Sequence, residues 1–175
     1  MKFQPTRLEG VFEIAIEPHC DERGFFARSW CVQEFEQHGL DPKLVQCNIS
    51  FNPRKGTLRG LHFQDSPYQE VKVVRCTQGA IYDVVVDLRA SSPTFKSWTA
   101  AILTANARNM LYIPQGCAHG FLTLEDNSEV FYQMSEFYHA SAARGVRWDD
   151  HAFGVAWPAP VELISERDRT YPDFE

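Results

Sequence analysis

Residues 70–88 read EVKVVRCTQGAIYDVVVDL, and their pattern decides the fold class. Glu70 to Cys76 is a run rich in β-branched residues that leads through Gly79 into a second run, Ala80 to Leu88. In the second run Tyr82, Val84 and Val86 fall on one face. Ile81, Asp83, Val85 and Asp87 fall on the other, the period of two that a strand imposes. In the first run Lys72 shares a face with Glu70 and Val74, although a lysine inside a strand is usually solvated. Working outward, short apolar runs bounded by turn residues predict further strands at Val11 to Ile16, Leu44 to Phe51, Trp98 to Leu103, Met110 to Ile113, Gly120 to Leu124 and Val130 to Phe137. Cys31 to His38 predicts a short helix stopped by Gly39, and Val161 to Arg169 a helical turn before Pro172. About ten short strands with little helix predict an all-β chain, an antiparallel sandwich or barrel with peripheral helices. A barrel of this kind carries its ligand in the mouth.

The chain has 175 residues, enough for one domain over residues 1–175 and too few for two ordinary ones. Apolar residues are 44% and charged residues 23%, a globular balance. A net charge of −6 argues against a nucleic-acid partner and against an anionic membrane surface. No apolar run approaches a transmembrane span, and the opening MKFQPTRLEGVFEI lacks the unbroken apolar core of a signal peptide. The five cysteines are odd in number, widely spaced and without a CxxC pair, which predicts reduced thiols and a cytoplasmic setting.

Four places carry candidate chemistry. The block Gly56 to Gln64, GTLRGLHFQ, reads as a strand with Leu58, Gly60, His62 and Gln64 on one face and Arg59, Leu61 and Phe63 on the other. Glycines within a strand mark a close approach of backbone or ligand. The block Ile113 to Phe121, IPQGCAHGF, sets a second histidine, His119, beside Gly120. Lys72 is the third place, and Ser165-Glu166-Arg167-Asp168 the fourth. A lone histidine in a strand is more often a satisfied core residue than a catalyst, and a charged tail is most often solvated. No His-x-His pair occurs among the six histidines, so no metal site is expected. No nucleophile elbow or phosphate-cradling glycine loop appears.

Taken together, these blocks resemble the dTDP-4-dehydrorhamnose 3,5-epimerase family, a group of cupin-like jelly rolls. The matching stretches are Asp21 to Phe26, Gln46 to Ser50, Gly56 to Gln64, Lys72, Asp83 to Arg89, Ser92 to Phe95, Ile113 to Phe121, Tyr132, Trp148 to Asp150 and Ser165 to Asp168. They run in family order over nearly the whole chain.

The resemblance implies a reaction. The hydrogens on C3 and C5 of the sugar flank a C4 ketone, and removing one gives an enolate with its charge on O4. That carbon acid is weaker than imidazolium by on the order of ten pKa units, so the site must supply electrostatic stabilisation as well as a base. By resemblance His62 is the base, Asp168 holds its other ring nitrogen, Lys72 stabilises O4, and Tyr132 returns a proton from the opposite face. Arg23 and Arg59 match residues that hold the pyrophosphate, where a guanidinium fork suits phosphate oxygens. Gln46, Asn48 and His119 match other substrate contacts, Phe26, Arg28 and Arg167 are further substrate-binding candidates, and Tyr138 matches an aromatic that stacks on the nucleobase. No cofactor is implied, because the ketone is the electron sink. The partner implied is a nucleotide-diphosphate sugar, with a second copy of the chain forming a homodimer in which Arg23 and Phe26 serve the neighbouring site.

Two positions depart from the family pattern. Arg28 and Ala143 stand where the family has glutamates on the nucleotide side of the substrate, a local charge change of three units, two plus one. A cytidine- or guanine-linked sugar is therefore an alternative to dTDP. Other readings are a 3,4-ketoisomerase, which would need no opposite-face acid at Tyr132, and a sugar-binding jelly roll without catalysis.

Overall fold

The computed structural model describes residues 1–175 as fourteen strands and two short helices. One six-stranded sheet runs in the order β1 (Lys2–Pro5), β2 (Phe12–Ala15), β10 (Met110–Ile113), β7 (Lys72–Gln78), β12 (Ser128–Met134) and β5 (Gln46–Asn52). The second runs in the order β13 (Ala143–Gly145), β6 (Thr57–Gln64), β11 (Cys117–Thr123), β8 (Ala80–Asp87) and β9 (Trp98–Thr104), with β14 (Leu163–Ile164) parallel to β6. A separate hairpin joins β3 (His19–Asp21) to β4 (Gly24–Phe26). The helices are α1 (Val32–Gln37) and α2 (Glu166–Arg169). The result is an all-β jelly-roll sandwich whose sheets do not close into a barrel.

The stretch 70–88 explains the layering. Its two halves, β7 and β8, belong to different sheets, and the chain crosses between them at Gly79. Gly79 has φ +74, and an added Cβ there would lie 2.6 Å from the Ser128 Oγ. Both faces of β8 are buried, as the alternation requires. Ile81 and Val85 join Val74, Leu111, Phe121 and Val130 in the core between the sheets. Val84 and Val86 pack outward against Leu61, Ala118, Val146 and Phe153, under the C-terminal segment. Each fully buried Val or Leu contributes roughly 1.5–3 kcal/mol. The outer face of the first sheet is covered by Phe35 of α1, packed on Ile14, Val73, Met110 and Tyr112. Buried Cys76 and Cys117 are core residues, and burial pushes their thiols up to about 11 and about 12. No helix is long and apolar enough to cross a membrane.

The predicted strands and the helix are present, with shifted ends. β11 starts at Cys117 rather than Gly120, β12 ends at Met134 rather than Phe137, and the C-terminal helical turn is confined to Glu166–Arg169. β1, the β3–β4 hairpin, β13 and β14 were not expected from the pattern. They are two to four residues long and mostly exposed, so no apolar alternation announces them.

The larger correction concerns β6. His119 of β11 lies opposite His62, but Phe121 lies opposite Arg59. Gly60 and Leu61 therefore oppose Gly120 alone, a bulge that shifts the alternation by one residue. Arg59 and His62 consequently border the same cavity rather than opposite faces. Glycine is required here: Gly60 has φ +132, and an added Cβ would lie 2.5 Å from the Gly120 Cα.

Candidate active site

A cavity of about 420 Å³ is bordered by side chains from β5, β6, β7, β11 and β12 and from the segment 138–144. The bulge brings His62 and Arg59 to it; β7 brings Lys72, β11 brings His119 and β12 brings Tyr132. A second cavity of about 410 Å³ shares Arg59, His62 and Arg167 with the first and reaches Asp168 and Ser165.

His62 Nε2 donates to Asp168 Oδ1 at 2.7 Å. A carboxylate only accepts, so this bond puts the ring proton on Nε2 and leaves Nδ1 as the basic nitrogen. Asp168 is 4% exposed and held from two sides. Its Oδ2 accepts from the Gly60 N–H at 3.2 Å, and its backbone N–H donates to the Ser165 Oγ that caps α2, at 3.1 Å. Burial pushes the Asp168 carboxyl up, but the hydrogen bond and charge of His62 and the bonds to Gly60 and Ser165 outweigh it. The carboxyl sits below its ordinary value.

Lys72 is buried, not solvated. Its Nζ lies 2.8 Å from Glu70 Oε1 and donates to the His62 carbonyl at 3.1 Å. Burial raises the Tyr132 phenol above its ordinary value, against the opposing charge of Arg59, so it stays protonated as a donor. Arg59 is oriented by its Nε donating to Asn52 Oδ1 at 2.7 Å. His119 Nε2 donates to the buried Asp83 Oδ1 at 2.7 Å.

Tyr138 is 56% exposed at the cavity rim, yet its backbone is pinned. Its N–H donates to Gln46 Oε1 at 2.9 Å. The neighbouring residues are tied to the Gln64 amide, which accepts from the His139 N–H at 2.6 Å and donates to the carbonyls of Phe137 at 3.1 Å and Tyr68 at 2.8 Å. Asn48 sits beside Gln46, whose Nε2 donates to Asn48 Oδ1 at 3.3 Å. Arg167 stacks over Tyr171, 5.8 Å from its ring centre, and Tyr171 meets His62 edge-on at 6.3 Å.

Five predicted residues border neither cavity: Gln46 and Asn48, which precede the lining residues Ile49 to Phe51 on β5, and three from the segment 23–28. Arg23 pairs with Asp21 at 2.5 Å on the exposed hairpin, and Phe26 is 75% exposed. Arg28 pairs with Glu34 at 2.9 Å. Ala143, by contrast, does border the main cavity. Sequence reasoning passed over Glu70, Gln64, Asn52 and Asp83 as site residues. For Glu70 and Asp83 part of the signal was available, because strand alternation put Glu70 beside Lys72 and Asp83 on the same face as Ile81 and Val85. No three His, Cys, Asp or Glu side chains come together as a metal-binding set.

A base with a fixed tautomer, a buried ammonium and a protonated phenol around one cavity form the set needed to move a proton on carbon next to a carbonyl. Comparison with known proteins agrees with that chemistry. Residues 5–175 match the family model described as dTDP-4-dehydrorhamnose 3,5-epimerase. A protein of that name from Shigella flexneri is 44% identical over 164 residues, covering 93% of this chain and 90% of the relative. A dTDP-4-dehydrorhamnose 3-epimerase from Streptomyces niveus is 38% identical, covering 97% of this chain and 82% of the relative. The crystal structure of dTDP-4-dehydrorhamnose 3,5-epimerase from Bacillus anthracis, with TDP and PPi bound, superposes with a TM-score of 0.94. It is 39% identical and covers 99% of each chain.

Proposed function

Because the chain belongs to the dTDP-4-dehydrorhamnose 3,5-epimerase family, we propose that it inverts C3 and C5 of a dTDP-linked 4-keto-6-deoxyhexose. The observation that carries the reading is the His62–Asp168 pair bordering the same cavity as Lys72 and Tyr132. His62 Nδ1 removes the proton beside the ketone. Asp168 stabilises the imidazolium that forms, the part its counterpart plays in a Ser-His-Asp triad. Lys72 takes the charge that develops on O4, and the Tyr132 phenol delivers a proton from the other face, which inverts the centre. Arg59 and Arg167 hold the pyrophosphate, Gln46, Asn48 and His119 fix the sugar, and Tyr138 offers its ring to the base. The ketone is its own electron sink, so the reaction runs without a cofactor.

The remaining parts of the reading concern the substrate's nucleotide end. The exposed β3–β4 hairpin carries Arg23 and Phe26 to the cavity of a second copy, and the working unit is a homodimer. Active monomer by light scattering would contradict this. Arg28 is paired with Glu34, whose other oxygen holds the Met1 amino group; this pairing weakens the charge argument for another nucleotide and favours dTDP as carrier. Five free cysteines suit a cytoplasmic enzyme.

The experiment is proton NMR of the product formed from dTDP-4-keto-6-deoxyglucose. Inversion at C3 and C5 with the ketone still at C4 is expected. A ketone at C3 would make the protein a 3,4-ketoisomerase, and unchanged substrate would make it a binding protein.

A further inference from the structure

We propose that Glu70 is the positioning residue for the Lys72 ammonium, so that the electrophilic end of the site is a pair rather than a single lysine. This rests on the epimerase reading above. An ammonium has three N–H donors and no acceptor. In Lys72 one is directed at Glu70 Oε1, 2.8 Å away, and one at the His62 carbonyl, 3.1 Å away. One donor remains for the substrate ketone. The two anchors therefore restrict rotation of the ammonium, and one of them is the backbone of the residue that supplies the base.

The backbone beneath the pair has no slack. Val71, between the two residues, donates its N–H to Ser135 Oγ at 2.7 Å and accepts from the Ser135 N–H at 3.0 Å. Lys72 is paired in register with Ile113 on one side and Met134 on the other. Residues 70 and 72 of an extended chain project from the same face. Glu70 is 7% exposed and Lys72 8%, and both border the cavity. A buried carboxylate is costly unless it is paired, and Lys72 is the cation that pairs this one. The carboxylate lies beside the lysine, and the proton leaves the substrate to His62, so Glu70 acts on Lys72 and through it on O4. A donor fixed before the charge develops stabilises an enolate better than one that must reorient.

The test compares Glu70→Ala and Glu70→Gln with wild type, using dTDP-4-keto-6-deoxyglucose for turnover and dTDP alone for binding by calorimetry. Glu70→Ala should lose roughly 10- to 100-fold in kcat, the scale of a misplaced catalytic group. Its KM and its affinity for dTDP should be preserved. Glu70→Gln keeps the length and one acceptor, and should recover part of the loss. Wild-type kcat in Glu70→Ala overturns the proposal, as does a parallel loss of dTDP binding, which would mark a general collapse of the cavity. Should Glu70→Ala fail to fold, Glu70→Gln decides alone: reduced kcat with dTDP binding intact supports the role, and unchanged kcat overturns it. The wild type is the control for the reaction itself. If wild type does not turn over the sugar, the epimerase reading fails; if wild type is active and both variants match it, only the role of Glu70 fails.

Discussion

Two His–Asp pairs lie side by side in this molecule. His62 and His119 are register partners on β6 and β11, and each holds its aspartate through an Nε2–Oδ1 bond of 2.7 Å. Their surroundings differ. The His62 side chain is 41% exposed and that of His119 only 9%. The second oxygen of Asp168 is satisfied by the Gly60 N–H, whereas Asp83 Oδ2 has no partner. A base must gain and lose charge in every turnover, and burial penalises the charged state. Under the proposed function the same pair of residue types serves two ends. The accessible pair, with its carboxylate fully bonded, suits proton transfer. The enclosed pair suits a fixed contact to the sugar.

This contrast can be broken most forcefully at the two histidines. His62→Ala should lower kcat by roughly two to four orders of magnitude, the worth of a positioned general base, while dTDP binding survives. His119→Ala should cost about tenfold or less, the scale of one hydrogen bond, and mainly in KM. Steady-state kinetics on both variants checks this, and the reverse ranking would assign the base to His119. Next come the aspartates. Asp168→Asn leaves one acceptor oxygen for two donors, His62 Nε2–H and the Gly60 N–H, and removes the charge that stabilises the imidazolium. It should slow turnover by up to about four orders of magnitude with the fold intact, the scale of the same change in a Ser-His-Asp triad. Because the Asp168 carboxyl lies below its ordinary value in the folded protein, its contribution to stability is present above the unfolded pKa. That contribution is lost as pH falls through the folded one. Asp83→Asn places an amide where one oxygen is already unpartnered and should cost about 1–3 kcal/mol of stability in thermal or denaturant unfolding, with kcat nearly unchanged.

Tyr132→Phe sharpens the contrast from the acid side. Exchange of the substrate hydrogens should persist, since His62 is untouched, while inversion falls, above all at C5. NMR of the product reads both, and full inversion at both carbons would move the acid role to water or another group. The smallest effect is expected at Arg28. Arg28 is exposed and borders neither cavity, and exposed ion pairs contribute little, so Arg28→Glu should change kcat/KM for the dTDP sugar by no more than about fivefold. The dTDP sugar should remain preferred over its UDP, CDP and GDP counterparts in wild type and variant alike. A wild-type preference for CDP or GDP would restore the alternative nucleotide.

Much of this arrangement was legible in the sequence, for a physical reason. Strands buried on both faces write their period into the chain, and the alternation over residues 80–88 sorted β8 into its correct two faces, with Asp83 beside Ile81 and Val85. What alternation could not show was the bulge at Gly60-Leu61, because two residues opposing one is a property of the pairing with β11 and not of β6 alone. That is why Arg59 was expected on the face opposite His62. The short exposed strands were missed because two to four residues are too few to show an alternation. Asp168 became a partner for His62 only through the family resemblance; 106 residues separate the two, and no local pattern joins them. Glu70 was visible beside Lys72, but a lysine within a strand reads as solvated until its burial is known.

The central claim is that His62 lifts a proton from carbon beside the ketone. It is tested most directly by incubating dTDP-4-keto-6-deoxyglucose with the enzyme in heavy water and following the C3 and C5 proton signals. The account predicts deuterium at both positions with wild-type enzyme and almost none with His62→Ala over the same time. Exchange at the wild-type rate in His62→Ala, or inversion without deuterium uptake in wild type, would contradict it.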